Sequence, residues 1–236
     1  MVACLCFTAL GAAALIAYLA EKTRRYTVRA VFLKTLVSTL FVTTAVCAAF
    51  FSGVGFRPFS AFVLLGLVFG LLGDIWLDLK YVFPEKDAEF TYAGFAVFAV
   101  GHVLYITGLI LTFYKPGQPV YIFAPLLLAA ALGAGNVKLE KPMKLNYGAF
   151  RPVVACYGAF LFAAVLFSGS LTLQNGWQEP ALNVFFIGAA LFAASDLVLS
   201  GTYFGQGKER PVDLILNYLF YYSAQFLIAL TPALLR

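Results

Sequence analysis

Eight stretches of the chain stay apolar for about the length a helix needs to cross the hydrocarbon core of a bilayer, ~20 residues at ~1.5 Å rise per residue. They cover residues 2–20, 31–51, 60–79, 90–113, 120–136, 152–173, 181–204 and 212–235. The fifth is the shortest, bounded by Pro119 on one side and by Gly133 and Gly135 on the other. Hydrocarbon offers no water to backbone amides, so such a run must close its hydrogen bonds internally as a helix. A transmembrane β-strand would show ~10-residue alternation, and these runs are continuously apolar. The expected fold class is all-α: a polytopic membrane protein, an eight-helix transmembrane bundle forming one domain over residues 1–236, with connectors too short for an extramembrane domain.

Composition agrees and narrows the field. Only 11% of the residues are charged and 62% are apolar, against about 25% charge in a typical soluble domain. That excludes an ordinary soluble enzyme and a disordered chain. Four cysteines in 236 residues exclude a disulfide-stapled mini-protein. All four, Cys4, Cys6, Cys47 and Cys156, fall in apolar runs without CxxC spacing and are expected to be buried as small hydrophobes.

The basic residues set an orientation. Lys22, Arg24, Arg25, Arg29 and Lys34 surround the first connector, Lys80 and Lys86 the third, Lys138, Lys141, Lys144 and Arg151 the fifth, and Lys208 and Arg210 the seventh. The alternate side holds Arg57, Lys115 and Arg236. This split predicts odd-numbered connectors in the cytoplasm and both termini on the other side. Glu21-Lys22-Thr23-Arg24-Arg25 follows the first run directly, with no basic region before the run and no small-residue cleavage site after it, so the run is expected to be a mature helix rather than a signal peptide. The net charge of +5 then reflects topology and contact with membrane lipids, with no nucleic-acid partner expected.

A carboxylate near mid-bilayer costs about 2.5 kcal/mol or more on insertion scales, so acids inside the runs are functional candidates. Asp74 stands in the third run and Asp196 in the seventh, each about 15 residues from the start of its run. Gly66 and Gly70 precede Asp74 at i−8 and i−4, and Gly188 precedes Asp196 at i−8. Small residues mark helix contacts, so both acids should face other helices. Asp78 is one turn beyond Asp74, where two carboxylates would repel; close to the membrane edge and beside Lys80, it is expected to be solvated or salt-bridged. Asp213, opening the eighth run, suits a helix N-terminus.

The single histidine, His102, lies midway along the fourth run with Tyr105 on its face, and Gly94, Gly101 and Gly108 recur every seven residues there. One histidine cannot build a three-histidine zinc site, and neither metal nor cofactor is expected. In the last run Tyr218, Tyr222 and Gln225 share a face with Tyr221 adjacent, and Tyr157 lies early in the sixth. Lys34, four residues into the second run, suits snorkelling or contact with a lipid phosphate. An internal repeat at an offset of 122 pairs Gly66 with Gly188, Asp74 with Asp196, Leu77 with Leu199 and Tyr81 with Tyr203. This would make two parallel four-helix repeats, with equivalent acids suited to a site between the halves.

Two carboxyls in an apolar bundle suit acid–base chemistry, one neutral as general acid and the other ionised as base or charge stabiliser. The residues leave open hydrolysis through an oxocarbenium-like state, proton-coupled transport and intramembrane aspartyl proteolysis. Proteases of the last kind carry Tyr-Asp and Gly-x-Gly-Asp motifs, whereas Leu71-Leu72-Gly73 and Ala194-Ser195 precede the acids here.

The segments Gly73-Asp74-x-x-Leu77, Gly101-His102-x-x-Tyr105, Pro152-Val-Val-Ala-Cys-Tyr157-Gly158, Gly188-Ala-Ala-Leu-Phe-Ala-Ala-Ser195-Asp196-x-x-Leu199 and Tyr221-Tyr222-Ser-Ala-Gln225 resemble the YhhN-type lysoplasmalogenase family, in order and over nearly the whole chain. The resemblance implies hydrolysis of the vinyl ether bond of a lysophospholipid, a lysoplasmalogen with an ethanolamine or choline head group, to a fatty aldehyde. By position it matches Asp74 and Asp196 to the family's motif acids, His102 to its histidine and Lys34 to its second-span lysine. Tyr105, Tyr157, Ser195, Tyr222 and Gln225 would then line the substrate site with His102 and Lys34.

Overall fold

The computed structural model describes residues 2–23, 27–51, 53, 56–205 and 210–235. Arg24, Arg25, Lys208 and Arg236, four of the residues that set the expected orientation, lie outside these. Among the described residues, eight helices are long and apolar enough to cross a membrane. They are α1 (Val2–Lys22), α2 (Val28–Phe51), α3 (Pro58–Val82), α4 (Asp87–Phe113), α5 (Val120–Asn136), α6 (Arg151–Gln174), α7 (Pro180–Phe204) and α8 (Pro211–Leu230). Short 3-10 turns lead into α4 and α6, extend α5 and follow α8. Each apolar run has become one helix, the short fifth included. No strand occurs among the described residues; an isolated bridge joins Leu145 to Gly205. The chain is an all-α, polytopic integral membrane protein.

The contacts divide the chain into two compact units, Met1–Gly108 with Ala229–Arg236, and Leu109–Ile228. The first holds α1, α2, α3 and most of α4; the second holds the end of α4, then α5, α6, α7 and nearly all of α8. Helices α3 and α7 are each 25 residues long, each begins on a proline, and their first residues stand 122 apart, the offset of the sequence repeat.

In the first unit the glycine heptad of α4 is its contact with α3. A Cβ at Gly101 would stand 3.1 Å from the Gly66 carbonyl oxygen, one at Gly108 would meet Phe62 at 2.7 Å, and one at Gly94 would run into Leu77. Without a hydrophobic force between helices in lipid, such close backbone approach supplies the packing energy. Threonine hydroxyls facing lipid on α2 are satisfied locally, Thr39 and Thr43 each donating to the carbonyl four residues earlier at 2.8 Å.

In the second unit Gly133 of α5 lets the Ala155 carbonyl of α6 come within 2.7 Å of where a Cβ would be. Pro125, inside α5, has no N–H to give the carbonyl four residues before it, that of Tyr121. Ser170 of α6 supplies the missing donor, its Oγ bonding that carbonyl at 3.0 Å. A helix with an interior proline thus keeps its backbone satisfied at membrane depth. The expectation for the cysteines holds for Cys4 and Cys47, whereas Cys6 and Cys156 are exposed on their helices. They are apolar enough for a lipid-facing surface, so hydropathy alone could not assign their side of the helix.

Candidate active site

In the first unit three helices each contribute two polar side chains one turn apart: Tyr18 and Lys22 from α1, Lys34 and Ser38 from α2, Asp74 and Asp78 from α3. All four charged members are at most 3% exposed. Lys22 Nζ bonds Asp78 Oδ1 at 2.9 Å, and the Tyr18 hydroxyl donates to Asp78 Oδ2 at 3.1 Å. Lys34 Nζ stands between the two acids, 3.3 Å from Asp74 Oδ1 and 3.4 Å from Asp78 Oδ1. Ser38 Oγ donates to Asp74 Oδ2 at 2.6 Å. The Lys22 ammonium also lies 3.9 Å from the centre of the Tyr81 ring, within cation–π range. Two ammoniums between two carboxylates cancel the repulsion that an i, i+4 pair of aspartates would otherwise carry.

The expectation that Asp78 is solvated or salt-bridged holds in its second form: Asp78 is buried and paired with Lys22 and Lys34, while the adjacent Lys80 pairs with Asp87 at 3.4 Å. The reading of Lys34 is corrected. Lys34 does not snorkel: α1 and α3 close around it, and its ammonium turns to the acids of α3. An ion pair of this depth does little for net stability, because desolvation offsets the attraction, but removing one member leaves a charge stranded.

His102 and Tyr105 are both buried, with ring centres 6.2 Å apart in an edge-on arrangement. The Tyr105 ring lies over Gly66 of α3, eight residues and so ~12 Å of helix before Asp74. The histidine and tyrosine thus occupy the same unit as Asp74, but two turns along from it.

The second unit places Asp196 two-thirds of the way along α7. The Tyr157 hydroxyl of α6 donates to Asp196 Oδ2, and Ser195 Oγ approaches Oδ1 at 3.5 Å while donating to the Phe192 carbonyl at 2.7 Å. Helix α8 runs alongside: Asn217 Nδ2 donates to the Ser195 carbonyl at 2.7 Å, the Tyr221 ring meets Phe192 edge-on at 5.3 Å, and Ile228 packs over Gly188. Gln225 is fully buried; its Nε2 donates to the Tyr221 hydroxyl at 2.9 Å, and its Oε1 has no hydrogen-bond partner among the described residues. Tyr222 stacks on Tyr218 and meets Tyr221 edge-on at 4.9 Å. Among the described residues no three His, Cys, Asp or Glu side chains come together as a metal site.

Each expected site residue therefore falls into one of two clusters, Lys34 and Asp74 with His102 and Tyr105 two turns along α3, or Tyr157, Ser195 and Asp196 with Tyr222 and Gln225 on the adjoining face of α8. Tyr18, Lys22, Ser38, Asn217 and Tyr221 were not anticipated as members. The available signal was the repetition of polar pairs at i, i+4 on three successive helices, a spacing that puts both members on one face.

The sequence profile of the YhhN family matches residues 30–231, which takes in every expected site residue. No curated protein and no solved structure matches the chain.

Proposed function

The chain belongs to the YhhN family, and on that premise we propose that it is a lysoplasmalogenase, hydrolysing the vinyl ether bond of a lysophospholipid to a fatty aldehyde and a glycerophosphoethanolamine or glycerophosphocholine. The observation that carries this reading is the contrast between two intramembrane aspartates, one beside an ammonium and one held by a phenol.

The reaction needs two carboxyl roles. A carboxylic acid transfers its proton to the β-carbon of the vinyl ether, and the C=C electron pair forms the new C–H bond, leaving an oxocarbenium ion at the α-carbon. A carboxylate stabilises that cation, then accepts a proton from the water that attacks the α-carbon. The hemiacetal loses its hydroxyl proton as the C–O bond to glycerol breaks, and the glycerol oxygen takes up a proton. Asp196, bonded to the Tyr157 hydroxyl and near that of Ser195, has the surroundings of a group that holds and releases a proton. Asp74, with the Lys34 ammonium at 3.3 Å, has those of an ionised carboxylate. The Gln225 Oε1, buried and open to a donor, suits a water or a glycerol hydroxyl, with Tyr222 beside it; His102 and Tyr105 are assigned to the substrate as well. Lys34, enclosed by two acids, is better placed to serve Asp74 than a lipid phosphate.

Purified protein presented with vinyl-ether and saturated-ether lysolipids side by side is expected to release aldehyde from the first alone. Cleavage of both would exclude protonation of a double bond, and solute movement into vesicles without aldehyde would favour a carrier. The proposed orientation, odd-numbered connectors in the cytoplasm, is checked by a reporter fused after Arg236, expected on the non-cytoplasmic side.

A further inference from the structure

Lys22, Asp78 and Tyr18 are buried polar groups that the chemistry above does not use, and one of them, Asp78, meets the one lysine that it does. The contacts are unequal. Lys22 and Asp78 meet at 2.9 Å, the usual length of a full charge-assisted hydrogen bond, ~2.7–2.9 Å. Lys34 meets neither acid at that length: it is shared, 3.3 Å from Asp74 and 3.4 Å from Asp78. With the pull of Asp78 removed, the ammonium would close on Asp74 to a tighter pair, as Lys22 does on Asp78. Asp78 prevents that closure by pulling on the other side, and it is fixed there by Lys22 and the Tyr18 hydroxyl. Asp74 keeps a cation near enough to remain ionised and too far to be locked.

Resting on the proposed hydrolysis, we infer that Asp78 is a positioning residue, which, anchored by Lys22 and Tyr18, holds the Lys34 ammonium in a shared position so that Asp74 stays ionised without being locked in a tight ion pair. The role is separable from charge balance. Asp78→Asn leaves one positive charge in excess and also releases Lys34 onto Asp74; Lys22→Gln with Asp78→Asn restores the balance but still releases Lys34; Asp78→Glu keeps the pull.

Thermal unfolding, kcat and KM are measured for the three variants in detergent micelles, together with the infrared carboxylate bands, of which the Asp74 band is assigned by its absence in Asp74→Asn. The single Asp78→Asn variant should lose stability and lose kcat on the order of 10- to 100-fold, the scale of an ångström-sized misplacement, with KM within about twofold. The double variant should regain stability without regaining kcat, and Asp78→Glu should keep most of both. The Asp74 band should shift alike in the single and double variants and stay in place in Asp78→Glu. Recovery of kcat in the double variant, or an Asp74 band unmoved by Asp78→Asn, would reduce Asp78 to a counter-charge and overturn the inference. Wild-type protein that releases no aldehyde would sink the hydrolase reading instead, while the infrared result would still decide the position of Lys34.

Discussion

Asp74 and Asp196 are the same residue at the same place in two helices of equal length, yet their surroundings differ in kind. In the first unit the neighbouring helix offers Lys34 and Ser38, and α1 adds Lys22 and Tyr18, so that a neutral cluster of four charges forms around α3. In the second unit the neighbouring helix offers the Tyr157 hydroxyl, which donates to Asp196, with the Ser195 hydroxyl nearby. At the 122-residue offset, Lys34 corresponds to Cys156, an exposed side chain on α6, and the next residue, Tyr157, turns to the acid instead. The two helices thus share the acid and differ in its partner. An ammonium holds a carboxylate in one charge state, whereas a phenol can bond to it as base or as acid, and this is the division of labour that the proposed hydrolysis requires.

If the contrast is functional, the two acids should fail differently when neutralised. Asp74→Asn should abolish aldehyde release by at least about 100-fold, the general acid–base scale. It should also destabilise the fold by about 3 kcal/mol, because Lys34 loses one of its two acids in a buried site. Asp196→Asn should cost as much activity with about 1 kcal/mol or less of stability, since the amide oxygen still accepts from Tyr157. Equal thermal shifts in the two variants would break the comparison.

Tyr157→Phe tests the second cluster alone. Loss of this buried hydrogen bond should lower stability by about 1–3 kcal/mol and should also lower kcat about 10- to 100-fold, the general acid–base scale. A drop in stability with kcat intact would make the phenol a structural strut. Away from both acids, Gly108→Ala would place a Cβ 2.7 Å from that of Phe62 and should cost about 1–3 kcal/mol by overpacking α4 against α3. Its activity per folded molecule should persist, and a selective loss of kcat would show that the approach of α4 tunes the first cluster. The smallest effect expected is that of Ser170→Ala, which leaves the Tyr121 carbonyl beside Pro125 without its donor and should lower stability by about 1 kcal/mol with no change in turnover.

Much of this architecture is legible in the sequence. The eight runs gave eight helices because hydrocarbon forces each segment to satisfy its own backbone, so a local property decides the element. The Gly94, Gly101 and Gly108 spacing identified the packing face of α4 for a similar reason, since a contact seam every seven residues leaves its mark in residue size. Asp74 and Asp196 stood out because a carboxylate in an apolar run is costly wherever the helix happens to lie. The same local logic misplaced Lys34 and left Asp78 between water and a salt bridge: near a membrane edge, sequence favours water or head groups, and only the closure of α1 and α2 on α3 removes that option. Lys22 was absorbed into the topology argument although its spacing from Tyr18 put both on one face.

What the sequence determined by itself is the set of spans, the positions of the two intramembrane acids and the seams along which helices approach, all of which depend on residues within a few turns of one another. What the tertiary structure decided is the partner each acid meets. That depends on the rotation of each helix about its axis, set by packing against neighbours far away in the chain, and a turn of about 100° exchanges an exposed cysteine for the tyrosine beside it.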